Sequence, residues 1–411
     1  MKTIVILGGG VGGIVTANKL RKRLHSEHKI IIIEKSRVHA FAPSFLWLMT
    51  GLRTREQVSR NVSTLLDKGV DIRNEEVISV NPEDKFVETV KGKIQFDYLV
   101  VALGAELHPE ALPGLPAESH NYYTYDGADK LHNALQKFDS GKIAVVVASL
   151  PYKCPAAPYE GAMLISDFFS KRGIRKDVEI SLYTPEPYPM PVGGPTLGES
   201  VKQVLESKAI NFFPLHKICE VDSRSKELLF ENNGKYGYDM LVVIPPHKAP
   251  VVIQRSLLAG ENGWIPVDRS TLLTKFPDVY AIGDVTAISI PGRWKQDVPL
   301  MLPKAGVFAH LQAEAVAQRI SDEIKGISPK SEFCGDGFCI LEAGEHAAGI
   351  AFGNFFASPS PEVKIRNVRK SWHYGKILFE KWWLSSLGIK KSFLKLLMKT
   401  GSKMMRIPIK I

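Results

Sequence analysis

The sequence has no apolar run that approaches the roughly 18–20 residues needed to span a bilayer, and its 411 residues include only four cysteines. Four cysteines are too few for the disulfide framework of a small secreted protein. We also expect no secretory leader, because Met1 and Lys2 are followed at once by the strand-like TIVILGGG. No motif of a nucleic-acid-binding fold occurs. We therefore predict a globular cytoplasmic chain without a nucleic-acid partner, long enough for two or three domains.

The end of the chain is almost without acidic residues. Residues 364–411 contain 13 Lys and Arg and one acid, Glu380, so the tail carries a net charge of +12 in a chain whose total is +10. Lysines alternate there with apolar residues, among them Trp382, Trp383, Leu384, Leu387, Phe393, Leu394, Leu397 and Met398. The pattern predicts one or two amphipathic helices that lie in the headgroup region of an anionic leaflet. The alternative is that they pack on the protein's own body or on a second subunit of a homo-oligomer.

The start of the chain has the pattern of a strand, a tight turn, a helix and a second strand. Gly8, Gly10 and Gly13 form G-x-G-x-x-G, and Glu34, followed by Lys35, closes the second strand. Glycines permit the turn and the approach of a pyrophosphate to the helix N-terminus, while the acid can accept hydrogen bonds from ribose hydroxyls. These residues are predicted to bind a dinucleotide; the alternative is a tight turn without a ligand.

Two later strand-like segments also end in glycine. FDYLVVALGAE contains Ala102 and Gly104, and VYAIGDVTAI contains Gly283 and Asp284. An aspartate at this place beside a nucleotide typically bonds a sugar or polyol hydroxyl, and the alternative is an ordinary turn aspartate.

A second apolar strand, KIAVVVASLPYKCPAAPYEGAML, lacks the glycines that should follow it. Gly161 is the first glycine after the strand, and Pro151, Pro155 and Pro158 are predicted to forbid the usual helix start. A pyridine nucleotide is therefore disfavoured as electron donor. Cys154 stands where the glycines are missing, and the alternative role for it is that of a buried small hydrophobe.

The segments VILGGGVGG, YLVVALGAE and VYAIGDV, in this order, resemble the FAD-dependent pyridine nucleotide-disulfide oxidoreductases. Within them, CPAAPYE and GFCILEAGEHAAGIAFGNFF resemble sulfide:quinone oxidoreductases and the flavoprotein subunit of flavocytochrome c sulfide dehydrogenases. The resemblance implies an α/β fold with two Rossmann-like dinucleotide-binding domains and a C-terminal amphipathic membrane-docking region. The expected boundaries are 1–110 with 240–325 for the FAD domain, 111–239 for the second domain and 326–411 for the C-terminal region.

The same resemblance implies the roles of individual residues. Gly8, Gly10, Gly13 and Glu34 hold the ADP half of FAD, Asp284 lies near its ribityl chain, and Lys304 lies beside its pyrimidine. Cys154 and Cys339 form the redox pair, and Glu160 moves the proton. The FAD is expected to be noncovalent, because RVHAFAPSFLWLMTG and NYYTYDGADKL contain no cysteine that could attach it.

The absence of a C-x-x-C-H haem site favours the quinone branch of this resemblance. Sulfide is then the donor and a membrane quinone the acceptor, for a monotopic protein on the cytoplasmic face. Candidate walls for the quinone ring are Phe352, Phe355, Phe356, Trp372 and Phe379. The alternatives are a type II NADH:quinone oxidoreductase and a non-catalytic redox sensor that keeps FAD as a structural ligand.

The two remaining cysteines have weaker signals. Cys219, in the alternating HKICEVD, is predicted to be a strand core residue. Cys334 has C-x4-C spacing with Cys339, but no second pair or histidine cluster completes a metal site. A resting or sulfur-carrying role for Cys334 stays open, and no metal is expected.

Overall fold

The computed structural model describes residues 1–295 and 298–407. Its first sheet is parallel and is built from Ile- and Val-rich runs, which favour extended backbone and can be covered on both faces. Ile4 pairs with Ile30 on one side and with Tyr98 on the other. In sheet order the strands are Val279–Ala281, Tyr98–Val101, Thr3–Leu7, Lys29–Ile33 and Asp71–Arg73.

A second parallel sheet has the order Ile210–Phe213, Val178–Tyr183, Gly141–Val147 and Met240–Ile244. Met240–Ile244 pairs in register with Gly141–Val147, so it belongs to the second sheet. The boundary predicted between residues 239 and 240 therefore falls one strand too early, because the apolar run that returns to the first sheet is Val279–Ala281.

The described residues form nine α-helices. They are α1 Val11–Arg23, α2 Phe45–Met49, α3 Tyr125–Lys137, α4 Ala157–Lys171, α5 Pro195–Ser207, α6 Val251–Gln254, α7 Gly306–Ile324, α8 Lys370–Trp383 and α9 Ile389–Met404. We call the first sheet with its helices the first unit, and the second sheet with its helices the second unit. Helix α1 packs against α7, which joins the beginning and the end of the first unit. Helix α4 begins directly after the proline-rich turn, with Pro158 in its first turn, where no backbone N–H is required. Strand Gly141–Val147 ends well before α4 begins at Ala157, so the helix does not start directly after the strand, as predicted.

The C-terminal region contains an antiparallel sheet of the strands Asp336–Gly344, Ala347–Asn354 and Glu362–Arg369. Helix α8 packs on this sheet, and α4 contacts its first strand from the second unit. The smaller paired strands are Val38–Ala40 with Ser59–Asn61; Val77–Asn81, Phe86–Thr89 and Gly92–Gln95; Glu106–Leu107 with His247–Lys248; Ile218–Asp222, Glu227–Phe230 and Lys235–Gly237; Ile265–Pro266 with Thr286–Ala287; and Ser289–Lys295 with Val298–Met301.

The predicted α/β fold is confirmed, and the tail divides into two different helices. Trp382 and Trp383 of α8 are buried in the core around α1 and α7. On α9, Met398 is buried, whereas Phe393 is 57% exposed. In the part of the chain that the structure describes, no helix combines the length and apolarity that a bilayer crossing requires.

Cys219 is exposed, so its prediction as a core residue is wrong. The pairing of strand Ile218–Asp222 shifts between Ile218 and Glu220, which breaks the alternation of inward and outward side chains.

Candidate active site

The turn between strand Thr3–Leu7 and α1 leaves bare backbone at a helix N-terminus. Gly8 has φ +100°, and a Cβ on it would lie 2.5 Å from the carbonyl oxygen of Ala102. A Cβ on Gly13 would lie 1.9 Å from the carbonyl oxygen of Gly8. Within the described ranges, by contrast, no atom beyond its immediate neighbours lies within 4 Å of a Cβ built on Gly10. Gly8 and Gly13 are required by the fold, and the open space at Gly10 fits the pyrophosphate of a dinucleotide.

The residues at the next strand end are held by local contacts. One carboxylate oxygen of Glu34 accepts from the Gly9 N–H at 2.6 Å, and the other accepts from the Ser36 N–H at 2.8 Å. Lys35 is exposed and lies 3.6 Å from a carboxylate oxygen of Glu76. Glu34 therefore fixes the glycine turn through its hydrogen bond with Gly9, whereas Lys35 forms an ion pair at the surface.

Gly104 and Gly283 supply the other turns of this edge, with φ +71° and +73°. The Gly283 N–H donates to the side-chain oxygen of Gln312 in α7 at 2.7 Å. Asp284 follows directly, and burial raises the pKa of its carboxyl. The structure thus gathers the glycine turns and Asp284 at the carboxyl edge of the first sheet, where ligands of such sheets bind.

Lys304 is a buried cation, not an exposed residue of a helix start. Its ammonium donates to the carbonyl oxygens of Asp284 at 2.7 Å and Thr286 at 3.0 Å, and lies 3.5 Å from the ring centroid of Trp264. Burial lowers the pKa of Lys304 to about 8. A cation that can lose its proton near neutral pH therefore stands just before α7.

Cys154 is in backbone contact with Lys304. The Cys154 N–H donates to the Lys304 carbonyl at 2.6 Å, which joins the proline-rich turn to the first unit. Cys154 has φ +58°, a conformation that is uncommon outside glycine. Its own carbonyl accepts from the Ala157 N–H at 2.9 Å at the head of α4. The turn therefore holds the thiol at the junction of the two parallel sheets.

Cys339 comes to this junction from the C-terminal sheet, where it pairs with Ala351. Cys154 and Cys339 both pack against the same apolar core, and both are free thiols. Burial raises the pKa of Cys154 to about 12, and the charge of Glu160 adds to this shift. Burial also raises the pKa of Cys339 well above its usual value, with contributions from Glu160 and Cys154. The structure thus brings the three predicted catalytic residues together, and both thiols are protonated at neutral pH.

Glu160 is one helical turn into α4 and 1% exposed. Its Oε1 accepts from the Lys376 ammonium at 2.8 Å and from the Glu342 N–H at 2.9 Å. Burial raises the pKa of Glu160, although Lys376 opposes the shift. The carboxyl is therefore buried and interacts electrostatically with both thiols.

The predicted site residues do not include Lys376, because every lysine of the tail fits a lipid-facing surface equally well. A signal for it exists: Trp372, Lys376, Phe379 and Trp383 follow helical spacing, and three of these four residues are aromatic. A lysine on the aromatic face of an amphipathic helix is directed into the protein. Lys376 also lies 5.3 Å from the ring centroid of Trp47.

The predicted quinone walls form two groups. Phe355 packs edge-on against Phe308 at 5.0 Å, and Phe356 packs against Phe333 at 5.3 Å. Phe352 and Trp372 share a separate small cluster. The two groups approach each other through Phe338 and Phe379, whose ring centroids are 6.1 Å apart.

Cys334 is exposed, and its thiol lies 3.7 Å from the Glu332 carbonyl oxygen. Across residues 1–295 and 298–407, no three metal-ligating side chains form a cluster that could hold an ion.

Comparison with known proteins agrees with this arrangement. The profile of the pyridine nucleotide-disulphide oxidoreductase family matches residues 2–306. The sulfide-quinone reductase of Aquifex aeolicus is 30% identical over 93% of this chain and 90% of its own. The chain belongs to the sulfide:quinone oxidoreductase family. The mitochondrial sulfide:quinone oxidoreductase of Mus musculus, a further relative in this family, is 29% identical over 87% of this chain and 79% of its own.

A crystal structure of the sulfide:quinone oxidoreductase from Aquifex aeolicus superposes with a TM-score of 0.83, over all of this chain and 96% of the other, at 25% identity. Type II NADH:quinone oxidoreductase of Staphylococcus aureus is more distant, with 24% identity over 86% of this chain and 90% of its own. Membership of the sulfide:quinone oxidoreductase family implies a flavin cofactor.

Proposed function

We propose that this protein oxidises sulfide to sulfane sulfur at Cys154 and Cys339 and reduces a membrane quinone through noncovalently bound FAD. The observation that carries the proposal is the junction itself. A thiol replaces the glycine turn at the head of α4, and a second thiol, a buried carboxyl and a buried lysine surround it.

The cysteines supply the sulfur chemistry. Hydrogen sulfide, reacting as hydrosulfide, adds one sulfur to a Cys154–Cys339 disulfide; the S–S bond breaks, and a persulfide and a thiol result. The persulfide and the thiol then return to the disulfide, with release of sulfane sulfur, two protons and two electrons. Because both thiols are buried and protonated, a base must take these protons, and Glu160 is the buried carboxyl that interacts electrostatically with both thiols.

The first unit supplies the binding site for FAD, which accepts the electrons from the cysteines. Gly8, Gly10, Gly13 and Glu34 would hold the ADP half, and Ala102, Gly104, Gly283 and Asp284 would line the remainder, with Lys35 at the outer rim. FAD, when bound, takes up the two electrons and passes them to quinone. The ammonium of Lys304 would favour the added negative charge of the reduced ring. Acid precipitation tests the binding mode: noncovalent FAD is released into the supernatant, whereas covalent FAD stays with the pellet.

Phe352, Phe355 and Phe379 are proposed as walls for the quinone ring. Support comes from aromatic packing: Phe379 lies 6.1 Å from Phe338, which packs on the cluster of Phe352, and Phe355 lies 5.0 Å from Phe308. In this division of the chain, the first sheet serves FAD, the second sheet carries Cys154, and residues 326–411 serve quinone and the membrane.

Helix α9 is the proposed contact with an anionic leaflet on the cytoplasmic face. Ile389 is 91% exposed and Leu396 61% exposed, next to exposed lysines such as Lys399. Anchoring apolar side chains beside cations is the pattern of an interfacial helix. Flotation with vesicles tests it: anionic vesicles should carry the protein, and Phe393→Ser with Leu396→Ser should abolish flotation without loss of folding. If these substitutions instead change the oligomeric state, α9 binds a second copy.

Single substitutions test the reaction. Cys154→Ser and Cys339→Ser should keep the flavin and abolish its reduction by sulfide, whereas Cys219→Ser, an exposed thiol, is the matched control and should behave as the unsubstituted protein. Full activity in either of the first two variants would overturn the assignment.

A further inference from the structure

A continuous set of buried polar side chains leads away from the cysteine junction. Lys376 Nζ lies 2.8 Å from Glu160 Oε1 and 4.0 Å from Glu342 Oε1. The other oxygen of Glu342, Oε2, lies 2.8 Å from His373 Nδ1. His373 Nε2 lies 3.4 Å from His346 Nδ1.

The burial of this set is graded. Glu160, Glu342, His373 and Lys376 are all buried, at 1%, 1%, 5% and 6% exposure, and His346 is exposed. His346 occupies the tight turn that joins strands Asp336–Gly344 and Ala347–Asn354. The set therefore begins beside the thiols and ends at solvent.

One atom in the middle of the set is unsatisfied. Glu342 Oε1 has no hydrogen-bond partner among the described residues, although it is buried. Lys376 already donates to Glu160 and faces Oε1 from 4.0 Å. A small movement of the ammonium from one carboxylate towards the other would satisfy Oε1, so Lys376 is placed to serve two carboxylates in turn.

Such a set is costly if its role is only structural. Burying several ionised groups loses more hydration free energy than their attraction restores unless each is fully hydrogen-bonded, and apolar side chains of similar size would serve the core better. Trp47 packs edge-on against His373 at 5.7 Å, and Tyr374 packs against the same ring. At the other end, the two thiols and the phenols of Tyr122 and Tyr123 interact electrostatically with Glu160.

We propose that Glu342, His373 and His346 form the proton exit of the cysteine site, a proposal that rests on the function proposed above. Glu160 first takes a proton from a thiol. Glu160 then passes this proton to the nitrogen of Lys376, while Lys376 gives one of its other protons to Glu342. For this step His373 carries its hydrogen on Nε2: protonated Glu342 gives its proton to Nδ1, and His373 releases the Nε2 proton to His346 and then to water. No electron moves in these steps, and each group ends with its original number of protons.

Glu342→Gln provides the test, because the amide keeps the size of the side chain and its contact with His373 but cannot carry the proton. Anaerobic stopped-flow measurement with sulfide should show flavin reduction slowed on the order of a hundredfold, within the usual range for loss of acid–base help. His373→Gln should act in the same direction, while His132→Gln, on α3 and outside this set, is the matched control.

A second readout separates proton transfer from a change in local charge. Replacing Glu342 by a neutral amide removes negative charge near the thiols, so static electrostatics predicts that their alkylation at fixed pH is unchanged or faster. The proton exit predicts slower flavin reduction in spite of that. His346→Ala, at the surface, should be slowed in dilute buffer and restored by added imidazole.

The outcomes are distinct. Bleaching of the flavin by sulfide at equal rates in the unsubstituted protein and in Glu342→Gln overturns the proton exit alone. Slow bleaching of Glu342→Gln accompanied by equally slow alkylation also overturns it, since the thiols themselves would then be disturbed. No bleaching of the unsubstituted protein overturns the proposed function, and the proton exit with it.

Discussion

The turn after strand Thr3–Leu7 and the turn after strand Gly141–Val147 occupy the same place in two parallel sheets, because each leads from a central strand into a helix. The first turn is lined by glycine and presents bare backbone to the head of α1. The second carries the side chains of Leu150, Tyr152 and Cys154 before α4 begins. Tyr152 fills space in which a pyrophosphate would need bare backbone, since its ring is buried and its hydroxyl donates to Glu186 at 2.9 Å.

The difference supports the proposal that the second unit keeps a dinucleotide-binding topology without binding a dinucleotide. The parallel strands and the following helix need only apolar side chains and a tight turn. Whether the turn accepts a pyrophosphate depends on the absence of a few Cβ atoms. In the second unit, the turn carries Cys154, whose backbone N–H donates to the Lys304 carbonyl of the first unit.

The largest effect is expected from adding one methyl group to the first turn. Gly10→Ala should leave the fold intact, because the added Cβ meets free space in the protein. That space is where the pyrophosphate would lie, so the purified variant should lack flavin and all flavin-dependent activity. The ratio of flavin to protein absorbance measures this. Gly375→Ala, on α8 and also open, is the control and should retain flavin; retention of flavin in Gly10→Ala would contradict the assignment of the first turn.

A smaller effect is expected at Lys304, whose carbonyl accepts a hydrogen bond from the second turn. The pKa of Lys304, lowered by burial to about 8, means that its charge is present below that pH and is lost above it. Sulfide-driven flavin reduction should therefore fall above about pH 8. Lys304→Met should be slower at neutral pH by roughly ten- to hundredfold and should lack that fall. An unchanged pH profile in Lys304→Met would remove Lys304 from the site.

The smallest effect concerns the stability of the second turn. Glu186 accepts from Tyr152, Tyr159 and Thr184, yet burial outweighs these bonds and raises its pKa to about 7. The folded protein therefore binds the proton more tightly than the unfolded chain, so the contribution of Glu186 to stability is greatest below about pH 4.5 and falls as pH rises through 7. The loss is about 3 kcal/mol at most.

Thermal unfolding between pH 4.5 and 8 checks this effect. Glu186→Gln should remove that part of the pH dependence. The stability of the variant relative to that of the unsubstituted protein should therefore be higher at pH 8 than at low pH. Equal slopes of the two proteins against pH would show that Glu186 is not the group responsible.

The parts of the site that follow from local backbone demands were accessible from sequence. Gly8 and Gly13 are required by a tight turn, and that requirement is visible as spacing. The C-terminal half was less accessible, because α8 has an aromatic and basic pattern that suits a membrane surface as well as a protein core. Packing of α8 on strand Ala347–Asn354 decides between them, and it turns Lys376 inward to Glu160.

The error at Cys219 has a similar origin. Alternation of side chains predicts burial only while the strand keeps its register, and the shift in pairing next to Cys219 depends on the partner strand. Long-range choices of this kind, such as the assignment of Met240–Ile244 to the second sheet, are not contained in a local pattern.

The central claim is that the second turn binds no nucleotide and delivers electrons from sulfide. The most direct measurement is to mix the purified, flavin-containing protein anaerobically with sulfide alone or with NADH alone and to follow the visible absorption band of the flavin. The account predicts rapid bleaching by sulfide, reversed by a short-chain quinone, and no bleaching by NADH. Bleaching by NADH, with none by sulfide, would contradict it.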